Sequence, residues 1–186
     1  MKSKELETEY NETLRKIGRN VLYFQRLEAM LKFIISRTRL EGTANTLKTE
    51  HEDNIETISD HTMGMLVNDF FKTVYAKDGN GPQNSEEVDE AWFSISFKIV
   101  EDEAVTEKRK MDLKHIVDER NFLIHQMLSN FKQESVESCR ELCARLDEQL
   151  EKLKPEYENL RTLINTIIAG RREAVDALAR EISGSE

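Results

Sequence analysis

The sequence predicts a mainly α-helical protein: a bundle of long antiparallel helices with a small β insertion and a long C-terminal helix. Apolar residues recur at steps of three and four over most of the 186 residues, which is the spacing of helices that bury one face. Charged residues make up 34% of the chain, with 2 Pro and 7 Gly, a composition that disfavours a turn-rich all-β fold. We therefore expect a single helical domain over residues 1–186.

The N-terminal part predicts two helices separated by a loop. The first is a long amphipathic helix from Lys4 to Thr38, because apolar residues follow the helical period throughout it. Residues 40–56 are polar and aperiodic, and they predict a mobile loop. The second helix is expected to begin at the N-cap pair Ser59-Asp60. Its predicted buried face consists of Met63, Leu66, Val67, Phe70, Phe71 and Val74.

Residues 76–102 predict a turn and a β-strand inserted between helices. The stretch KDGNGPQNSEE is rich in turn-forming residues. In the following AWFSISFKIV, every second residue from Phe93 to Ile99 is apolar, which is the period of a strand. Because a lone strand is not stable, we expect it to pair with residues near Thr73 to Ala76, or with the same strand of a second subunit.

Residues 103–131 predict a further helix, for which two forms are compatible with the pattern. The helix is either continuous or broken around Asp118, whose side chain can cap a second helix. A break there would place Arg120 at a helix start.

The last third of the chain predicts one long apolar stripe. From Glu134 to Ile182 its repeat is close to seven residues. Pro155 interrupts the stripe, and we expect a kink or tight break there with the stripe continuing. Residues 155–186 are predicted to form a C-terminal helical arm.

The charge pattern bears on nucleic-acid binding in two opposing ways. The net charge of −9 weakens long-range attraction to phosphate but leaves room for a local basic patch. The candidate patch consists of the nucleic-acid-binding candidates Lys108, Arg109, Lys110 and Lys114. The alternative is that these residues form a solvated helix face whose charge is balanced by Glu107 and Asp112.

Location and cofactors are constrained by what the sequence lacks. It has no run of 18 apolar residues, and its first residues, MKSKELETEY, are too charged for a signal peptide, so we expect a soluble, cytoplasmic protein without a membrane partner. Cys139 and Cys143 share a helical face without the further ligands that a zinc site needs. Two reduced thiols, no metal site and no cofactor are therefore expected.

The stretch Asp118 to His125 contains a residue set suited to phosphate chemistry. Arg120 can hold a phosphate through two parallel donors, and His125 can transfer protons because its ordinary pKa is near 6.5. Asn121 can orient a phosphate oxygen or the imidazole. In an α-helix, residues five apart lie about 140° from each other, so Arg120 and His125 converge on one ligand only if Arg120 folds back from a helix start.

This Arg-Asn-x-x-x-His element resembles the R-x-x-x-x-H signature of the HEPN superfamily (higher eukaryotes and prokaryotes nucleotide-binding), and the helical pattern of residues 10–150 resembles its core. The resemblance implies a metal-independent endoribonuclease with Arg120, Asn121 and His125 as catalytic residues. It also implies a homodimer, since two motifs facing each other supply the second proton-transfer group. Many members are toxins neutralised by an antitoxin protein.

Two qualifications accompany this resemblance. Members silenced by adenylylation carry Tyr two places after the His, where this chain has Met127, so that control is not expected here. A catalytically silent HEPN-like interaction or nucleotide-binding protein is the alternative, and the acidic balance and the predicted arm favour it. In that case Arg120 would pair with Asp118 or Glu119, and His125 would be satisfied inside the bundle.

Overall fold

A computed structural model of the protein describes residues 4–43, 45–75, 92–128, 131 and 135–183, apart from the side chains of Phe93, 178–179 and 181–183. The fold is mainly α-helical, as predicted. In chain order its elements are α1 (Lys4–Thr38), β1 (Arg39–Thr43), α2 (Leu47–Ser59), α3 (Met63–Val74), β2 (Trp92–Ser96), α4 (Glu103–Asn121), a π-helical segment (Phe122–Met127) and α5 (Val136–Ser183).

The two longest helices, α1 and α5, pack side by side and run in the same direction. Arg140 near the start of α5 pairs with Glu9 of α1 at 2.9 Å, and further along Tyr157 of α5 contacts Tyr23 of α1. Helix α1 has the predicted bounds. The expected antiparallel arrangement is not found for this pair, because long intervening chain allows α5 to return in parallel, but it holds for α4 against α5.

Helix α5 is one helix through Pro155, so the tight break that was one of the two expected forms is absent, while the stripe continues as predicted. Pro155 lies on the exposed side of the helix, while the buried side carries a residue every seven positions. These buried residues are Cys139, Leu146, Leu153, Leu160 and Ile167. The region expected to form an arm therefore contributes to the core as far as Ile167, and beyond it Val175 is 59% exposed.

The segment 40–56, predicted as a mobile loop, instead contains most of β1 and most of α2. Helix α2 buries Ile58 among its described residues, so its sequence lacks the apolar stripe that would have indicated a helix. The next helix, α3, has its N-cap at Thr62, whose hydroxyl accepts a hydrogen bond from the Met65 amide at 3.4 Å, and not at Ser59-Asp60. All six predicted core residues of α3 are buried.

The predicted strand is present as β2, but its partner is different from the expected one. Strand β2 pairs antiparallel with β1, from Arg39 opposite Ser96 to Thr43 opposite Trp92. Its expected partner near Thr73 to Ala76 contributes one hydrogen bond, from the Ile99 amide to the Val74 carbonyl at 2.8 Å. The predicted turn falls in residues 76–91, which lie outside the described residues.

Candidate functional site

Helix α4 runs without a break into the π segment that carries the motif. Asp102 caps its N-terminus by accepting from the Ala104 amide at 2.8 Å. At the other end, the Phe122 amide donates to the carbonyls of Asp118 and Glu119. The continuous alternative is therefore correct, and Arg120 lies in the last turn of α4 and not at a helix start.

The π segment, Phe122–Met127, changes how the motif residues face each other. At its end the Leu128 amide donates to the Leu123 carbonyl, five residues back, in place of the usual four. Because a wider turn has less rotation per residue, the angle between Arg120 and His125 about the helix axis is smaller than the value of about 140° in a regular α-helix. The geometry thus moves the two side chains toward a common side without the helix start that the sequence had suggested.

Motif side chains are presented to solvent while the residues between them anchor the segment. Asn121 and His125 are exposed, and Arg120 is half-buried. The Arg120 Nη1 group donates to Asn121 Oδ1 at 3.1 Å. Leu123 is fully buried in the core, and Phe122 packs partly against that core. The polar residues are therefore held by apolar neighbours and remain accessible.

Glu119, the residue before Arg120, is fixed by side chains of α4 and α5. Its carboxylate accepts from Lys152 at 2.9 Å and from Gln149 at 3.0 Å, and His115 lies 3.4 Å away. Burial alone would raise the pKa of Glu119, but the hydrogen bonds from Gln149 and Lys152 and the Lys152 charge outweigh it, so the pKa is lowered. Glu119 is thus an ionised, hydrogen-bonded group next to the motif.

Arg120 does not form the ion pair that was expected if the motif had a purely structural role. In the described part of the chain, Arg120 makes no ion pair with Asp118 or Glu119, and its hydrogen bond is to Asn121. His125 is exposed and lies outside the buried core. His125 is therefore reachable from solvent, and Arg120 is not neutralised by either of these two carboxylates.

Helix α5 adds a second wall beside the motif. The Arg145 guanidinium lies over the Phe122 ring, 4.0 Å from its centroid, a cation–π contact that joins α5 to the π segment. A neighbouring open cavity of about 540 Å³ is within the size range of ligand sites. It is lined by Glu119, Glu141, Ala144, Arg145, Glu148, Gln149 and Lys152. Sequence reasoning missed these α5 residues, because their helical spacing marks only a solvated face.

The basic run on α4 is divided between exposed and engaged side chains. Lys108 and Lys114 are exposed. Lys110 is half-buried and 3.7 Å from Glu107. The Arg109 side chain is 21% exposed, with Glu101 at 3.9 Å and the Tyr75 ring centroid at 5.9 Å. The four residues therefore do not form one open patch, and contact of the run with RNA stays a prediction.

A second polar cluster surrounds Arg109 at the other end of the α4–α5 contact. Among the described residues, Tyr75 Oη, Arg109 Nε and Glu156 Oε2 are buried without hydrogen-bond partners. Burial raises the pKa of Tyr75 to about 12. Burial also raises the pKa of Glu156, although the positive charge of Arg109 opposes the shift. For Glu156, burial therefore has a larger effect on the pKa than the charge of Arg109, whereas for Glu119 the hydrogen bonds and the Lys152 charge outweigh burial.

Cys139 and Cys143 are both buried free thiols on α5. Thr13 of α1 contacts Cys143 Sγ at 3.3 Å, so this pair belongs to the α1–α5 packing. Within the described ranges, no group of three or more His, Cys, Asp or Glu side chains is arranged to hold a metal ion. The same residues include no helix with the length and apolar character needed to cross a membrane.

Comparison of the chain with protein-family models, with curated proteins and with solved structures gives no match. The likeness to the HEPN superfamily therefore depends on the Arg-Asn-x-x-x-His element and its helical setting alone.

Proposed function

We propose that the protein is a metal-independent endoribonuclease of the HEPN toxin type, with RNA as its substrate and a homodimer as its active form. The observation that carries this proposal is the exposed, intact motif at the junction of α4 and the π segment, where Asn121 and His125 face solvent beside Arg120. The proposal includes a cytoplasmic location and a role in a toxin–antitoxin or phage-defence system with an antitoxin protein as partner.

The proposed reaction is an internal transesterification. The 2′-hydroxyl oxygen of the RNA attacks the adjacent phosphorus, the bond from phosphorus to the 5′-oxygen breaks, and the products carry a 2′,3′-cyclic phosphate and a 5′-hydroxyl. His125 takes the 2′-hydroxyl proton or delivers a proton to the leaving oxygen. Arg120 stabilises the charge on the phosphate, and Asn121 orients it.

One chain supplies one motif histidine, whereas the reaction uses both a base and an acid. A homodimer with two motifs facing each other provides the second group from the partner subunit. We therefore expect sedimentation to give a dimer at micromolar concentrations. A monomer that retains full activity would exclude the two-subunit site.

A second candidate is a catalytically silent HEPN-like protein that binds a nucleotide or another protein. One observation favours its protein-binding form: the cavity beside the motif is lined by three carboxylates, Glu119, Glu141 and Glu148, against two cations, Arg145 and Lys152, and this negative balance opposes the approach of RNA phosphates. A basic protein partner would suit that surface better than RNA.

Incubating the protein with RNA in excess chelator separates the two candidates. The ribonuclease produces fragments ending in 2′,3′-cyclic phosphate, which are identified by mass spectrometry. Cleavage that needs added magnesium contradicts the metal-independent reaction, and intact RNA under all conditions favours the silent candidate.

A further inference from the structure

Beneath the motif, a chain of buried amide groups links α1 through α5 to the end of α4. Asn20 of α1 is completely buried, and Gln149 of α5 is 2% exposed. The Asn20 amide nitrogen donates to Gln149 Oε1 at 2.9 Å and to the Leu146 carbonyl at 2.7 Å. The Asn20 Oδ1 atom in turn accepts from Arg19 Nε at 3.0 Å. Burying two amides is favourable only with such partners.

Gln149 directs its own donors at the residue that precedes the motif. Its Nε2 atom lies 3.0 Å from Glu119 Oε2 and 3.3 Å from the Glu119 backbone carbonyl. That carbonyl also accepts from the Phe122 amide, at the point where α4 changes into the π segment. Gln149 therefore holds the backbone turn that carries Arg120 and Asn121.

We infer that Gln149, itself held by Asn20, is a positioning residue for the Arg120–His125 site. The inference rests on the proposed ribonuclease function. Gln149 does not reach the substrate. It fixes the Glu119 carbonyl and carboxylate, and so fixes where the adjoining Arg120 guanidinium and Asn121 amide are presented. A small displacement of such groups lowers the rate of a reaction that depends on their orientation.

The test compares Gln149→Met, which keeps the side-chain length but removes both amide functions, with the control Ile167→Val. Ile167 is a buried α5 residue 18 positions further on, about 27 Å along the helix, so the control lowers stability away from the motif. We expect kcat for RNA cleavage to fall by about 10- to 100-fold in Gln149→Met, with KM little changed, and to stay at the wild-type value in the control.

A rescue variant separates positioning from a general loss of stability. Gln149→Glu places a second carboxylate against Glu119, whereas Gln149→Glu combined with Glu119→Gln restores a donor facing an acceptor with the roles exchanged. A carboxylate at position 149 cannot donate to the Glu119 backbone carbonyl, so the double variant restores the side-chain contact alone, and we expect it to recover part of the activity that Gln149→Glu loses. Equal activity in the two variants would overturn the inference.

Hydrogen exchange of the Arg120, Asn121 and Phe122 amides gives a readout that does not depend on cleavage. Gln149→Met should accelerate exchange at these three amides more than at core amides. Ile167→Val should leave the ratio of their exchange rates to those of core amides unchanged. If the wild-type protein cleaves no RNA, the proposed function fails, and the exchange rates still decide the role of Gln149. Unchanged exchange and unchanged kcat in Gln149→Met would overturn the inference itself.

Discussion

Helices α4 and α5 contact each other beside the motif and around Arg109, and a partly buried carboxylate at each place, Glu119 and Glu156, has a different environment. Glu119, next to the motif, accepts hydrogen bonds from Gln149 and Lys152, and its pKa is lowered although burial opposes this. At the other end, burial dominates for Glu156 and raises its pKa despite the charge of Arg109. The difference shows that the balance between burial and the hydrogen bonds from neighbouring side chains sets the direction in which the pKa of each carboxylate shifts.

The two α4 regions that the sequence suggested for RNA binding also differ in their surroundings. The motif end combines a satisfied carboxylate with exposed Asn121 and His125. The basic run lies toward the other end, where Arg109 is engaged with Tyr75 and Glu101. Chemistry is therefore expected at the motif, and the lysines of the run contribute charge alone.

The largest expected effect is on catalysis at the motif end. Arg120→Ala should lower RNA cleavage by about 100-fold or more, because it removes the cation that stabilises the phosphate in the transition state. Arg120→Lys is the matched control: it keeps the charge but loses the two parallel donors, and an intermediate rate is expected. Single-turnover rates on one RNA measure both, and full activity of Arg120→Ala would remove the motif from the mechanism.

The next effect is on stability, with opposite signs at the two ends. Glu119→Gln should destabilise the protein by about 1–2 kcal/mol, because charge-assisted hydrogen bonds to Lys152 and Gln149 are weakened. Glu156→Gln should stabilise it by about 0.5–1 kcal/mol, since a carboxylate oxygen without a partner is replaced by a neutral amide. Urea denaturation at pH 7 measures both, and changes of the same sign would contradict the comparison.

The pH dependence of these two variants should differ as well. The lowered pKa of Glu119 gives stability that is present above its ordinary pKa of 4.5 and lost as pH falls through its folded-state pKa. The raised pKa of Glu156 acts in the opposite sense: its destabilising effect is present above the folded-state pKa and disappears as pH falls toward 4.5.

Denaturation between pH 7 and pH 3 tests this pair of trends. Both variants should approach the wild-type free energy of unfolding in acid, Glu119→Gln from below and Glu156→Gln from above. A difference from the wild type that stays constant across this range would show that neither carboxylate titrates as described.

The smallest effect is expected from the exposed lysines of the basic run. Lys108→Ala should weaken RNA binding a few-fold and lower the slope of log affinity against log salt by about 1, as expected for one phosphate contact. Lys48→Ala, which alters an 86% exposed lysine on α2, is the control and should change neither quantity. Equal effects of the two substitutions would assign the run to a solvated face.

Elements with strong local patterns were predictable from the sequence. The period of three and four fixed the bounds of α1 and the buried face of α3, and alternation located the strand. The partner of that strand was not predictable, because β1 is a short stretch, Arg39–Thr43, remote in sequence and without alternation of its own. Helix α2 was missed because it has too few apolar residues at helical spacing to form a recognisable stripe.

The motif residues were recognisable in the sequence, but the backbone geometry and the residues that position them were not. A π segment has no periodicity signal over six residues, so the orientation of His125 could not be read from spacing. Asn20 and Gln149 are polar residues on charged helices and resemble solvated positions until the fold brings them together, 129 residues apart in the chain.

The most direct test of the proposed ribonuclease site measures cleavage and melting temperature on the same preparations of His125→Ala and His61→Ala. His61 lies outside the motif and pairs with Asp69 at 2.9 Å, so it serves as a structural histidine for comparison. We expect His125→Ala to lose about 100-fold or more in cleavage at an unchanged melting temperature, and His61→Ala to melt lower with its activity retained. A His125→Ala protein that melts several degrees lower yet cleaves RNA at the wild-type rate would contradict the account.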